Sequence, residues 1–140
     1  MYDYSVLKYK VSLLYNTDKN RNSYGIEMEK TEINNLFNDI PNKIPDEIVE
    51  CILKNQILTI ERIISKGHNT PAGQYYDQDS NEWIIILQGQ ARLSFEDPHE
   101  EISMEVGDYL LIPAHKRHRV EWTKPDIETL WLAIHFNKIL

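Results

Sequence analysis

Histidine and glutamate, two residue types that bind metals and transfer protons, stand at the ends of short apolar runs in this chain. Glu82 precedes the apolar residues 83–87, and His115 and His118 follow the apolar run Tyr109–Ile112. A carboxylate beside apolar walls is stable only when it is paired with a cation, a metal ion or a histidine. We therefore expect Glu82 and His118 to form the catalytic centre of a site.

Alternation along the strands predicts where these two side chains point. Glu82 shares one strand face with Ile84 and Ile86, because successive side chains of a strand lie on opposite faces. By the same rule His118 shares a face with Val120 and Trp122. Both apolar faces predict that Glu82 and His118 point into a protein interior.

Two interpretations of this pair remain open. In the first, a divalent transition metal (Fe, Mn, Ni or Zn) is bound by Glu82 and His118 together with Asp77, Gln78 or a tyrosine. Histidine and carboxylate donors suit these ions, and two protein ligands leave positions for substrate and water. In the second, Glu82 and His118 form a hydrogen-bonded pair that stabilises the interior without a metal.

A long irregular segment, residues 65–81, precedes Glu82 and contains a cluster of polar and aromatic side chains: Tyr75, Tyr76, Asp77 and Gln78. Loops of this length inside a compact domain are uncommon and often functional. We expect Tyr75, Tyr76 and Gln78 to line the mouth of the site and bind a small polar molecule. The alternative is a tyrosine-packed loop in which the aspartate caps a turn.

Two further histidines have less certain roles. His115 lies in a turn three residues before His118, where it is a second ligand, a donor that orients His118, or a ligand-contacting rim residue. The last two roles are favoured over direct metal binding. His135 is in register with Trp131 and Ala133, which is more typical of a satisfied core residue than of a catalyst.

Strands are the elements that must position these side chains. Alternating or continuous apolar patterns predict eight of them, over residues 48–53, 57–64, 83–87, 90–96, 102–106, 109–112, 118–122 and 128–136. A further tyrosine-rich strand is predicted over 2–15, followed by a polar linker. The continuous apolar run at 83–87 predicts a strand covered on both faces. Many short strands at regular spacing favour a closed barrel or jelly roll.

Composition excludes several functions. The chain has 140 residues, a net charge of −7 and scattered basic residues, which argues against nucleic-acid binding. The single cysteine, Cys51, excludes an internal disulfide and a cysteine-based zinc site, and it suits a reducing compartment. With no membrane-spanning apolar run and no secretion signal, we expect a cytoplasmic protein.

Five residues have the spacing of the two motifs of the cupin superfamily: Glu82 and Gly89 from the first motif, and Gly107, Pro113 and His118 from the second. The resemblance covers roughly residues 57–136. It is fairly specific, because all five positions agree within an all-strand pattern. The sequence is also similar to a subgroup of small single-domain bacterial cupins.

The chain departs from the cupin pattern at several positions. His115 occupies the second glycine of the second motif. The two histidines of the first motif are absent, and their positions fall on Tyr75 and Asp77, or on Tyr76 and Gln78 with the other spacing. The family's usual metal site of three histidines and a glutamate is therefore only partly represented.

The resemblance implies an all-β, cupin-like double-stranded β-helix (a jelly-roll barrel) over residues 28–140, with residues 1–27 as an N-terminal extension. It implies a small metalloprotein and, within that class, a metal-dependent enzyme acting on a small polar molecule inside the barrel. The alternative is a non-catalytic module that binds or senses a small molecule without a stable metal. A homodimer is also expected, in which residues 2–15 add a strand to a partner's sheet.

Overall fold

The structure is a computed structural model, and it describes residues 31–137. The regular elements in this range are eight strands: β1 (Ile48–Lys54), β2 (Leu58–Ser65), β3 (Asn81–Gln88), β4 (Ala91–Phe95), β5 (Glu100–Met104), β6 (Tyr109–Ile112), β7 (His118–Thr123) and β8 (Thr129–Phe136). Each corresponds to a predicted strand. The predicted strand over 2–15 and the predicted boundary at residue 27 lie outside the described residues. No helix in the described range is long and apolar enough to cross a membrane.

The chain divides into two compact units, residues 1–39 and residues 40–140. In the described part of the first unit, the Asn35 side chain accepts a hydrogen bond from the Phe37 amide at 2.8 Å. The Asn38 amide donates to the Asn35 carbonyl at 3.1 Å. Asparagine commonly stabilises turns in this way, so residues 35–38 form a turn.

The second unit is built from two antiparallel sheets. The larger sheet has the strand order β1-β2-β8-β3-β6, and the smaller has the order β5-β4-β7. Side chains from both sheets form one buried apolar core, which includes Ile84, Ile86, Leu93, Phe95 and Trp131. The neighbours in each sheet are mostly distant in sequence, as in a jelly roll. The predicted all-β, cupin-like architecture is confirmed.

One face of β3 is less covered than predicted. Ile84 and Ile86 are buried, but Trp83, Ile85 and Leu87 on the opposite face are only partly buried. The prediction that this strand is covered on both faces is therefore wrong for the described residues. An antiparallel sheet in a two-layer fold packs one face on the core and leaves the other for solvent or a partner.

A bulge in β7 changes the direction of Trp122. Arg92 pairs with Trp122, but the next residue, Leu93, pairs with Val120, so the register shifts by one residue between them. Trp122 is 38 % exposed, whereas Thr123 is fully buried. An extra residue in one strand reverses the alternation beyond it. The prediction that Trp122 faces inward with His118 is therefore wrong.

Candidate functional site

Glu82 and His118 meet inside the second unit. Glu82 lies near the start of β3 and is 8 % exposed, and His118 is the first residue of β7 and is 5 % exposed. Their side chains approach across the space between the two sheets, with 3.4 Å between Glu82 Oε2 and His118 Nε2. Two strands of different sheets thus bring a carboxylate and an imidazole together at one buried point.

The His118 ring is fixed in one orientation. Its Nδ1 lies 2.9 Å from the Lys116 carbonyl, which can only accept, so Nδ1 carries the proton and donates. In the neutral ring Nε2 therefore keeps its lone pair and faces Glu82. Tyr76 holds the same strand from the loop: its amide donates to the His118 carbonyl at 2.7 Å, and the two rings are 5.5 Å apart. His118 is thus positioned both along the backbone and at its ring.

Gln78 links Glu82 to a second histidine. Its Nε2 donates to Glu82 Oε2 at 3.2 Å, and its Oε1 lies 3.1 Å from His135 Nδ1. An amide oxygen only accepts, so His135 Nδ1 is the donor. Gln78 was predicted to line the site, and in the structure its amide contacts both Glu82 and His135.

His135 and Glu61 also belong to this cluster, and neither of them was predicted from the sequence to lie in the site. His135 Nε2 lies 3.2 Å from Glu61 Oε2 and 3.9 Å from Glu82 Oε1. Burial lowers the pKa of the His135 imidazole, but the hydrogen bond to Glu61 and the charges of Glu82 and Glu61 outweigh it. The pKa of His135 is therefore raised above its ordinary value.

Sheet register explains why these residues meet. Glu82 is directly opposite His135 in the β3–β8 pair, and Glu61 is opposite Ala133 in the β2–β8 pair. Paired residues share a sheet face, so all of them project towards the core that contains Ala133. Two features of the sequence could have predicted these residues. His135 lies on the inward face of its strand, and Glu61 is a charged residue within the mostly apolar strand β2.

The remaining predicted ligand-contacting residues lie at the edge of this cluster or outside it. His115 Nδ1 is 3.0 Å from Asp77 Oδ1, and both side chains are more than half exposed. The structure does not bring Asp77 into contact with Glu82 or His118 within the described chain. The Tyr75 ring instead lies against the guanidinium groups of Arg117 and Arg119, outside the cluster.

The backbone at His115 has an unusual conformation. Its φ is +63°, in the left-handed region that glycine adopts most readily. The His115 amide donates to the Gln78 carbonyl at 2.8 Å, so this turn holds the loop that carries Gln78. The left-handed backbone gives a physical reason for the glycine that the second cupin motif places here.

The carboxylate of Glu82 and the imidazole of His118 are donor types that bind transition metals. The described side chains do not, however, converge on a single position as the ligands of a metal ion do. In the range 31–137, no group of three or more His, Cys, Asp or Glu side chains is already arranged to hold a metal ion. The separation of Glu82 Oε2 and His118 Nε2 is nevertheless 3.4 Å. Two ligands at about 2.1 Å from a tetrahedral metal lie about 3.4 Å apart. This pair therefore has the spacing of one edge of a metal site.

A surface pocket of about 270 Å³ is lined by His135, but Glu82, His118, Gln78 and Glu61 are not among its lining residues. Its wall is mixed, with the polar Lys54, Thr59, Ser80 and Asn137 beside the apolar Ile57, Leu58 and Phe136.

Comparison with known proteins identifies the family. The family model described as "Cupin domain" matches residues 63–135. A solved structure from Ralstonia eutropha, described as a candidate mannose-6-phosphate isomerase, is 42% identical with a TM-score of 0.74 and covers 77% of this chain and 100% of its own. A cupin superfamily protein from Desulfitobacterium hafniense is 20% identical with a TM-score of 0.59, over 71% of this chain and 84% of its own.

More distant similarity extends to an enzyme. The hydroxypropylphosphonic acid epoxidase from S. wedmorenis, solved in complex with fosfomycin, is 14% identical with a TM-score of 0.55, over 64% of this chain and 51% of its own. At that identity the likeness concerns the fold alone. A search of curated protein sequences gave no match. The family model and the Ralstonia structure, together with the eight-stranded architecture, show that this chain belongs to the cupin family.

Proposed function

We propose that this cupin is a metalloprotein that binds a small polar molecule beside the Glu82–His118 pair and acts on it as a metal-dependent enzyme. The observation that carries the proposal is the buried 3.4 Å approach of Glu82 Oε2 to His118 Nε2, with the His118 ring fixed by the Lys116 carbonyl. A histidine whose Nδ1 donates to a carbonyl presents Nε2 in the form that binds metals.

Glu82 and His118 would hold a divalent transition metal, Fe, Mn, Ni or Zn. Such an ion would act as a Lewis acid toward an oxygen of the bound molecule. Gln78 and Tyr76 are placed to orient that molecule, since Gln78 contacts Glu82 and the Tyr76 ring lies beside the His118 ring. The 42% identical relative, described as a candidate mannose-6-phosphate isomerase, makes mannose 6-phosphate a reasonable first ligand to test.

A second candidate function is a non-catalytic module that binds or senses a small molecule without a stable metal. It is favoured by one observation: no three-ligand metal group is in place within residues 31–137. In that case Glu82 and His118 would bind the ligand by hydrogen bonds alone. We also propose that the protein is cytoplasmic, which is compatible with either function.

Metal loading of the purified protein separates the two functions. We expect about one equivalent of one ion after incubation with Fe(II), Mn(II), Ni(II) or Zn(II) and removal of excess, measured by elemental analysis. Glu82→Gln and His118→Ala should each abolish loading, whereas His99→Ala, a substitution in an exposed turn, should leave it unchanged. Failure of the wild type to retain any of the four ions would favour the metal-free module. Full loading in both variants would mean that the metal lies elsewhere.

We also propose that the protein is a homodimer. Tyr109 and Leu111 on β6 are 69 % and 53 % exposed, and Trp83 and Ile85 on the adjacent strand share their face. An exposed apolar patch of this kind is typical of an interaction surface.

A further inference from the structure

We propose that the protein has a second ligand site, in the gap between β5 and β6, that binds a small zwitterion with an apolar body. An amino acid with a branched aliphatic side chain is a ligand of this class. Binding there requires no metal ion, so this site is independent of the proposed metal-dependent function.

The pocket lies where the two sheets are open to each other. β5 is an edge strand of the smaller sheet and β6 is an edge strand of the larger sheet, so the two strands are not paired. The pocket between them has a volume of about 170 Å³. Apolar cavities of about 150 Å³ can hold benzene, so this space is large enough for an isobutyl group. Its wall includes four apolar and two charged residues: Phe95, Ile102, Leu110, Pro113, Glu100 and Lys116.

Sheet register places a carboxylate beside the apolar wall. Phe95 pairs with Glu100 in the β4–β5 ladder and with His118 in the β4–β7 ladder. Paired residues share a sheet face, so these three residues form a row on the inner face of the smaller sheet. Phe95 lines the pocket, and its ring centre is 6.0 Å from that of His118. Phe95 therefore separates this pocket from the Glu82–His118 pair.

Lysine supplies the opposite charge. Lys116 Nζ donates to the Asp97 backbone carbonyl at 2.6 Å and lies 5.7 Å from the centre of the Phe95 ring. An ammonium group has three N–H donors, so this single hydrogen bond leaves donors for a ligand. The lysine is thus held at the pocket wall with part of its hydrogen-bonding capacity unused.

The neighbouring charges have partners within the chain. Arg117 pairs with Glu96, and Glu101 pairs with Arg92. None of these four residues lines the pocket. In the described range 31–137, by contrast, no ion pair involves the two charged residues of the pocket wall. A carboxylate for an ammonium group, an ammonium for a carboxylate and an apolar wall are therefore available together, and a zwitterion with an apolar side chain uses all three.

Titration of the isotope-labelled protein, followed by amide NMR shifts, tests this site with four probes: L-leucine, glycine, isocaproate and isoamylamine. We expect leucine to bind saturably, with the largest shifts at Ile102 and Leu110. Glycine lacks the apolar side chain and should bind about tenfold more weakly or worse. Isocaproate lacks the ammonium group and isoamylamine lacks the carboxylate, so each should bind about two- to fivefold more weakly than leucine.

Two substitutions assign each charge to its partner. Lys116→Met should remove the preference for leucine over isoamylamine and keep the preference over isocaproate. Glu100→Gln should have the converse effect. Lys43→Met and Glu101→Gln replace the same residue types at exposed positions outside the pocket, so they should keep the wild-type order of the four probes.

The outcomes distinguish this site from the proposed function. Lack of saturable leucine binding to the wild type would refute the site, and so would an unchanged order of the probes in both Lys116→Met and Glu100→Gln. Metal loading is a separate measurement on the same protein. A wild type that loads a metal but does not bind leucine would refute this site and leave the proposed function standing. A wild type that binds leucine with the expected order but loads no metal would do the opposite.

Discussion

The left-handed backbone at His115 allows a sharp test with two substitutions at one position. His115→Gly places the residue of the cupin motif at a φ of +63°, and His115→Ala keeps a side chain there. Both variants lose the 3.0 Å contact between His115 Nδ1 and Asp77 Oδ1. They differ only in backbone conformational preference, so their comparison isolates the effect of the left-handed φ.

The expected magnitude follows from opposing effects. A left-handed conformation costs alanine about 1–2 kcal/mol, whereas glycine adopts it freely. Glycine gains more freedom in the unfolded chain, which offsets about 0.5–1 kcal/mol of this difference. The contact with Asp77 is more than half exposed on both sides, so its loss contributes less than about 1 kcal/mol to either variant. We therefore expect the glycine variant to be more stable than the alanine variant by about 1 kcal/mol.

Urea unfolding measures this difference directly, and a thermal shift of about 4 °C between the two variants should accompany it. Equal stability of the two variants, or greater stability of the alanine variant, would refute the assigned backbone conformation. Metal loading adds a second readout. Both variants keep the backbone amide that donates to the Gln78 carbonyl, so loading should be unchanged if His115 is a rim residue. Loss of loading in both would instead make His115 a ligand.

Three further predictions concern stability and assembly. The pKa of Glu47 is raised chiefly by burial, so its contribution to stability is present at low pH and is lost as the pH rises through the raised value. Glu47→Gln should therefore stabilise the protein at pH 7 relative to the wild type. It should also weaken the dependence of the urea midpoint on pH between 4 and 7. An unchanged pH dependence would contradict a raised pKa of Glu47. Gly89 has a φ of +82°, and an added Cβ would lie 2.7 Å from Thr129 Cα, so Gly89→Ala should destabilise the fold by about 2–5 kcal/mol. At Gly73 the φ is +78°, but no atom lies within 4 Å of an added Cβ. Gly73→Ala should therefore cost only about 1–2 kcal/mol in the same unfolding assay. Equal losses at Gly73 and Gly89 would exclude a steric clash with Thr129 as part of the Gly89 effect. Tyr109→Glu on the exposed β6 face should convert the proposed homodimer to a monomer in light scattering, whereas a dimer that is lost only on deletion of residues 1–27 would place the contact in that segment instead.

The strands were predictable because their signal is local. In β6 the predicted bounds, 109–112, agree with the structure at both ends, and in β4 the predicted strand, 90–96, is one residue longer at each end than the observed one. Alternation and bounding turns are visible in a few consecutive residues, and they do not depend on which strands become neighbours. Trp122 was the exception, because a bulge depends on the register with the facing strand and has no local signal in β7.

The candidate site was predictable only in part. Glu82 and His118 could be paired from the sequence because both match cupin motif positions and because strand alternation predicts that both side chains face inward. The structure places Glu82 Oε2 and His118 Nε2 3.4 Å apart. Tyr75 and Asp77 lie in an irregular loop, where alternation gives no direction for a side chain. Their contacts with Arg117 and with His115 depend on how that loop packs.

The sequence alone predicted the all-β class, the cupin family and the pairing of Glu82 with His118. Only the tertiary structure brought His135 and Glu61 to Glu82. These residues are far apart along the chain, and the β2–β8 and β8–β3 registers decide that they meet. A one-residue shift in either register would turn their side chains to the opposite face. The single Glu82–His118 pair of the sequence thereby becomes, in the structure, a connected cluster of two glutamates, two histidines and the Gln78 amide that links them.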